Sequence, residues 1–461
     1  MDEGVAATAA MHASRLAATG ADTTPDPSDE LAARGEPRRV GLGRGVVLAL
    51  PTSTSEQHGP VAGWVSTAGW ASALRRVVGS AWIVTPEGVL DECAARARAS
   101  RPDLAPPATP RVRSRIPVVA KTAIKDLREM RRARAFRISS SGPWDDYAVE
   151  FVWQRHELFH RAGLDLARRL RIPAVTFVPA PLVWQANEWG VRRPGWSSAL
   201  ERVEARALRA ATIVAAGSDE VAAHVAGLGV RDADIVVTPT GIDTDLFGLF
   251  DPHAMTDRAG DERRATRREL GLDGLVVVGW VGSFRRFHAL DLAIDALARA
   301  TGRDRLALLL VGDGPERARV EARARASGIR AVATGTMPHD RIPGLMRAMD
   351  IALVLAERGQ AFHYSPLKLA EYLASGVAVV APDAGEIPLR FRAPDELLLF
   401  TPGDADSLRD RIECLVADPA LRNHLAAAGP GIARTRATWD RSVHRVVAAL
   451  EARRAAGKVA P

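Results

Sequence analysis

The run Ser365-Pro366-Leu367-Lys368-Leu369-Ala370-Glu371 puts a cation and a carboxylate three residues apart near the start of a short helix. Ser365 is a good N-cap, because its hydroxyl accepts a hydrogen bond from a free first-turn amide. Pro366 suits the first helical position, where its missing N–H costs nothing. Lys368 and Glu371 then share a helix face. A helix start carries unbonded amides and partial positive charge, so it can hold an anion. A surface ion pair on an ordinary helix satisfies the same spacing.

Three further stretches could add to such a site. Gly282 and Ser283 permit a tight turn after an apolar run, and Arg285, Arg286 and His288 crowd positive charge just beyond it. Arginine suits bidentate recognition of phosphate oxygens. A solvated basic loop is the plainer alternative. Val-Gly-Asp-Gly-Pro, with Gly312 and Gly314, is a glycine-rich turn that lets a ligand approach the backbone. The stretch around Gly335 and Met337 could line a pocket beside a base or ring, or be only a loop and a helix start. Each signal is weak alone. Their joint appearance at successive strand ends argues for one shared site.

These turns need a scaffold of alternating strands and helices. The apolar runs at 275–282, 306–312, 331–335, 351–356, 377–382 and 397–400 read as strands, with helical patterns between them. Pro366 to Ser375 reads as the helix bearing Lys368 and Glu371, ended by Gly376 at the position that wants a left-handed residue. Earlier, 45–53, 81–88, 172–181 and 211–218 read as strands. Such alternation implies βαβ units and parallel sheets, hence an α/β fold of two Rossmann-like domains facing across a cleft. Ligands in such sheets sit beyond the carboxyl ends of the strands. Residues 1–43 lack periodicity and read as a disordered tail. The expected domains are 44–247 and 270–435, joined through the polar stretch 251–268. Residues 436–461 form a C-terminal helix and tail that could pack back on the first domain. Segment 100–115 reads as a linker or exposed loop.

The chain has 461 residues and a formal charge of +7, which points to anionic partners. No helix-turn-helix, zinc-finger or RNP-type signature accompanies that charge, which argues against nucleic acid. Two cysteines, Cys93 and Cys414, suggest neither a disulfide framework nor a metal cluster and favour a reducing, cytoplasmic setting. No apolar run is long enough to span a bilayer. Residues 115–137 combine an apolar stripe with Lys121, Lys125, Arg128, Arg131, Arg132 and Arg134. They could seat on anionic lipid at the inner face of the membrane, or form a solvated basic helix.

Taken in order, Pro239–Phe247, Val281–Leu297, Leu308–Pro315, Ser365–Pro382 and Phe400–Ile412 resemble the retaining glycosyltransferases of family 4, which have the GT-B architecture. The resemblance is strong over 235–455 and looser over 46–235. It implies a nucleotide-sugar donor, UDP- or GDP-linked, bound as substrate by the C-terminal domain, with no further cofactor and no metal. It implies a sugar, lipid-linked or small-molecule acceptor bound by the N-terminal domain, in glycan, glycolipid or cell-envelope biosynthesis. By the same resemblance Glu371 would bond the donor ribose hydroxyls. Arg285 or Arg286, with Lys368, would neutralise the diphosphate, and amides at Tyr364, Ser365 and Leu367 would cap its oxygens. Gly59 and Gly63 would border the diphosphate from the first-strand loop. His156 stands where such enzymes place a polar residue near sugar or acceptor, although a core histidine fits equally. Trp184, Trp189 and Trp196 could stack on a sugar or simply pack. The chain departs from the family pattern at His363, where a glutamate is usual, at Thr240, and at His288-Ala289. Those departures keep a non-catalytic nucleotide-sugar binder of the same fold as the alternative, with a nucleotide-sugar epimerase as a third.

Overall fold

The computed structural model describes residues 43–50, 62–91, 93–94, 97, 117–188, 190–249, 257–360 and 367–457. The expected tail, the loop at 100–115, and Gly59, Trp189, His363, Tyr364, Ser365 and Pro366 lie outside these residues, apart from Gly43.

The first half is built on seven strands: β1 (Arg44–Ala49), β2 (Ser80–Thr85), β3 (Gly88–Leu90), β4 (Ala148–Arg155), β5 (Ala174–Val178), β6 (Ile213–Ala216) and β7 (Ile235–Val237). They pair in the order β3-β2-β1-β4-β5-β6-β7, all parallel except the β2–β3 hairpin. Successive side chains of a strand face opposite ways. Accordingly Val46 and Leu48 of β1 join Phe151, Trp153, Val175 and Phe177 in one core, while Val47, Ala49 and Val152 enter another on the opposite face. Both faces are buried, which explains why these strands read as continuous apolar runs.

Helix α1 (Ala62–Val77) covers the first face. The other described helices of this half are α2 (Val118–Ala135), α3 (Ala162–Leu170), α4 (Leu182–Glu188), α5 (Ser197–Leu208) and α6 (Asp219–Gly227). Strand β4 sits at the centre of the sheet, although the sequence reading did not single it out.

The second half has six parallel strands: β8 (Val276–Val281), β9 (Leu306–Val311), β10 (Ala331–Gly335), β11 (Ile351–Leu353), β12 (Ala378–Pro382) and β13 (Leu398–Phe400). Their order is β10-β9-β8-β11-β12-β13. Helix α7 (Asp257–Glu269) precedes them, so much of the polar stretch expected to connect the halves is helical. It docks through Arg263 and Arg267, whose guanidinium groups both bind the Asp350 carboxylate, which also accepts from the Val277 amide at 2.8 Å. Helices α8 (Leu290–Arg299), α9 (Arg317–Ala326), α10 (Ile342–Arg347), α11 (Leu367–Ala374), α12 (Ile387–Arg390), α13 (Ala405–Ala417) and α14 (Pro419–Arg436) complete this half.

The chain then returns. Helix α15 (Trp439–Ala455) starts at Thr438, whose hydroxyl accepts from the Arg441 amide at 3.3 Å. Its Trp439, Val443, Val446 and Leu450 enter the core of the first half beside Trp64, Trp70 and Leu74. The outgoing and returning segments run together: the Ile242 amide donates to Ala437 O at 2.8 Å. A Cβ on Gly241 would lie 2.4 Å from the Trp439 nitrogen, so this crossing requires glycine.

Candidate active site

Helix α11 carries Lys368 and Glu371 out of the second sheet between β11 and β12. Gly376, at φ +66°, ends it, with the Val377 amide reaching back to Tyr372 O at 3.3 Å. The helix is anchored from below. Tyr372 is fully buried, and its hydroxyl accepts from the Val281 amide at 2.8 Å, tying α11 to the end of β8. That tie sets Lys368 against the turn after β8. The Lys368 Nζ stands 4.4 Å from the centre of the Trp280 ring, and a Cβ on Gly282 would approach it to 3.1 Å. A cation over a largely desolvated indole gains about 2 kcal/mol. Burial pulls the Lys368 ammonium down from 10.5 to about 7, with Glu371 opposing the drop.

His288 joins the same cluster. Its ring lies 5.3 Å from Trp280, and its Nε2 is 3.5 Å from the Ser283 hydroxyl. Burial, then the charges of Lys368 and Arg285, drive it down to about 2. The imidazole is therefore neutral. The positive charge of this turn comes from Arg285 and Arg286, both exposed, rather than from all three basic residues as the sequence suggested. Arg285, His288, Lys368 and Glu371 thus act on one another in one place, although they come from two separate elements.

The glycines also have a task beyond the expected one. A Cβ on Gly312, at φ +123°, would lie 2.0 Å from Gly282 O, and one on Gly314 would lie 2.7 Å from the Phe284 nitrogen. The Gly282 amide donates to Val311 O at 2.9 Å and the Phe284 amide to Asp313 O at 3.0 Å. The turns after β8 and β9 are laced together, and glycine is what allows backbone to meet backbone. The Gly312 amide continues the lacing to Gly335 O at 3.0 Å. Beyond Gly335, Met337 packs against the core beneath the site. The next turn brings His339 Nε2 to 3.6 Å from the buried Glu371 carboxylate. His339 and Trp280 were not singled out in the sequence. The apolar-aromatic end of β8 was the available signal for Trp280; His339 lay in the stretch beside Met337 that read as a possible pocket lining.

The remaining expected residues have the following surroundings. Leu367, half-buried, opens α11 as described. Gly63 is buried near the start of α1, where its carbonyl accepts from the Ser66 hydroxyl at 3.1 Å. His156 is buried in the first half, 2.7 Å from Glu204. The Glu204 carboxylate also takes the amides of Leu182 and Val183. Burial alone would raise the Glu204 carboxyl, but His156 and these amides hold it below the usual range. Trp184 stacks on His224 at 4.5 Å, and the Trp196 indole donates to Asp126 at 3.0 Å, so both have protein partners. A polar tie joins the halves: Glu386 accepts from the Asp219 amide at the start of α6, and Arg390 bridges both carboxylates.

Comparison with known proteins places this arrangement. Residues 71–246 match the family model described as Glycosyltransferase Family 4, and residues 276–418 match that described as Glycosyl transferases group 1. The 2-deoxystreptamine glucosyltransferase of Streptomyces kanamyceticus is 31% identical over 247 residues, which are 52% of this chain and 56% of the relative. A GDP-mannose-dependent alpha-mannosyltransferase of Mycolicibacterium smegmatis is 28% identical over 278 residues, 59% of this chain and 66% of that protein. The chain thus spans between about half and two thirds of the length of these relatives. Among solved structures, Anabaena HepE in complex with UDP aligns with 89% of this chain and 100% of its own, at TM-score 0.60 and 18% identity. Sucrose-phosphate synthase from Thermosynechococcus elongatus aligns with 90% of this chain and 100% of its own, at TM-score 0.61 and 18% identity. The fold is the two-domain GT-B arrangement.

Proposed function

From the premise that the chain belongs to glycosyltransferase family 4, we propose that it transfers a sugar from a nucleoside-diphosphate sugar to an acceptor hydroxyl, with retention at the anomeric carbon. The carrying observation is the Lys368–Trp280–His288–Arg285 cluster at the end of β8, with Glu371 one helical turn beyond Lys368. Departure of a nucleoside diphosphate develops negative charge on phosphate oxygens. A cation held in place by Trp280, with Arg285 at the rim, meets that charge without reorganisation. Structures of Anabaena HepE hold UDP and UDP-glucose, which supports a diphosphate nucleotide as the ligand class.

In this reading Glu371 grips the ribose, Lys368 and Arg285 take the diphosphate, and neither Lys368 nor Glu371 acts as a covalent nucleophile. The acceptor oxygen forms its bond to the anomeric carbon on the face from which the diphosphate leaves. Its proton passes to a departing phosphate oxygen, so atoms and charge balance without a protein base. The acceptor is a sugar, a lipid-linked or a small-molecule acceptor bound by the first half. The test is a panel of UDP- and GDP-sugars assayed for hydrolysis and transfer, with the product anomer read by NMR. Turnover of one donor with retention is expected, and Lys368→Ala and Glu371→Ala each lower it at least a hundredfold. Tight donor binding without turnover under any acceptor would favour the non-catalytic binder, and wild-type turnover in both variants would refute the site.

The outer face of α2 supports peripheral contact with an anionic bilayer. Ile124 and Leu127 are exposed there among exposed Lys121, Lys125, Arg128 and Arg131. The inner face is held by Asp126, which binds Arg193 at 2.8 Å. No described helix is long and apolar enough to cross a membrane. Apolar side chains ringed by cations suit the headgroup boundary. Sedimentation with phosphatidylglycerol vesicles at low salt should pull the protein down, and high salt should release it. Equal recovery with neutral phosphatidylcholine vesicles, or none with either, would exclude it.

A further inference from the structure

Glu371 is nearly closed off from solvent, only 6% exposed, yet no described side chain forms a hydrogen bond to its carboxylate. Lys368 attracts it through charge, from the same helix. From another element, His339 Nε2 approaches the carboxylate to 3.6 Å. That nitrogen is itself buried and has no hydrogen-bond partner among the described residues. A buried donor without a partner is costly, and this nitrogen faces the Glu371 carboxylate. The separation lies just outside hydrogen-bond range. Site hydrogen bonds commonly tighten when substrate binds.

The two residues are held on independent supports. His339 lies in a single 3-10 turn, His339–Arg341, that leads from β10 into α10. Glu371 rides on α11, whose position Tyr372 fixes against β8. A movement of about half an ångström in either element closes the gap into bonding range. The terminal torsion of a glutamate is broad, so a carboxylate on a short helix needs a second group to fix its plane.

We propose that His339 is a positioning residue for Glu371: on donor binding its Nε2–H donates to one carboxylate oxygen and turns the carboxylate so that it accepts from the ribose hydroxyls. This rests on the assignment of Glu371 to the ribose made above. Nε2 carries the proton in the tautomer this requires, and a carboxylate has lone pairs enough for one imidazole N–H and two hydroxyls. The consequence is selectivity for a ribonucleotide over its 2′-deoxy counterpart, because a carboxylate free to rotate gains less from the second hydroxyl.

The experiment titrates UDP and 2′-deoxy-UDP, and GDP with 2′-deoxy-GDP, into wild-type protein, Glu371→Ala, His339→Ala and His339→Gln, with thermal unfolding of each. For whichever base binds, wild type should prefer the ribonucleotide by about tenfold or more, the scale of one hydrogen bond to a charged acceptor. Glu371→Ala should abolish that preference. His339→Ala should lose most of it and raise KM for the donor more than it lowers kcat, and His339→Gln, which keeps an N–H donor, should restore it. A merely structural histidine would change unfolding and leave the ratio alone. If Glu371→Ala loses the preference while His339→Ala keeps it, the inference about His339 fails and the ribose assignment stands. If Glu371→Ala keeps it too, the ribose assignment fails and takes the inference with it.

Discussion

Lys368 loses solvation beside Trp280, and Glu371 offsets part of that loss. Its folded value, about 7, lies below the ordinary 10.5, so the unfolded chain binds this proton more tightly. The resulting cost to stability is fully present below pH 7 and disappears as pH rises from there toward 10. A bound diphosphate reverses the bias, because the anion favours the charged lysine. Binding of UDP at pH 8 should therefore take up a proton, read by calorimetry in buffers of different ionisation enthalpy, and Lys368→Met should abolish the uptake. His156 is a contrasting case. Its sequence position suited either a place near sugar or acceptor or a core histidine, and it is buried against Glu204. His156→Ala leaves a buried carboxylate without its ring partner, so denaturant unfolding should show a loss of about 3 kcal/mol. Residue types at spacing revealed Lys368 and Glu371 because both lie on one helix. The sequence could not reveal that His288 is neutral, since that depends on Lys368 from a distant segment and on burial.

Elements were legible where their period was strong and their ends were marked. The second-half strands were readable because burial on both faces makes them continuous apolar runs, and Gly376 marked the end of α11 through its left-handed conformation. Strand β4 passed unnoticed because Glu150 and Gln154 break the apolar run of a central strand. Gln154 is buried and bonds its amide to His160 O at 3.0 Å and its oxygen to the Gly163 amide at 2.9 Å. The polar stretch before β8 read as a connection because its amphipathic signal is ionic: α7 docks by Arg263 and Arg267 on Asp350. The glycine-rich turns were found for an incomplete reason, since lacing between turns already demands Gly312. Packing of α1 against α15 gives a direct check. A Cβ on Gly69 would lie 2.2 Å from the Trp439 ring, so Gly69→Ala must displace a fully buried indole. Thermal unfolding should report a loss of about 1–3 kcal/mol or more.

At the scale of the molecule, two parallel sheets are joined by two adjacent crossings, at Ile242 and Ala437, and by the tie from Glu386 and Arg390 to Asp219. The tie is partly exposed, so its worth to stability is below about 1 kcal/mol. Its effect belongs to the relation between the halves: Glu386→Ala should leave the unfolding midpoint nearly unchanged while broadening the inter-half distances seen by fluorescence energy transfer in the absence of donor. An unchanged distribution would mean that the crossings alone set that relation. The alternation of elements along the chain made the two-sheet plan readable, whereas the tie depends on residues 167 apart that carry no signal in common. The central claim is that turns from separate strands of the second half build one nucleoside-diphosphate site. Calorimetric titration of UDP and GDP into wild-type protein and into Lys368→Ala tests it most directly. One of the two nucleotides should bind the wild type, and the variant should bind it at least tenfold more weakly. Absence of binding by both, or equal affinity in the variant, would contradict it.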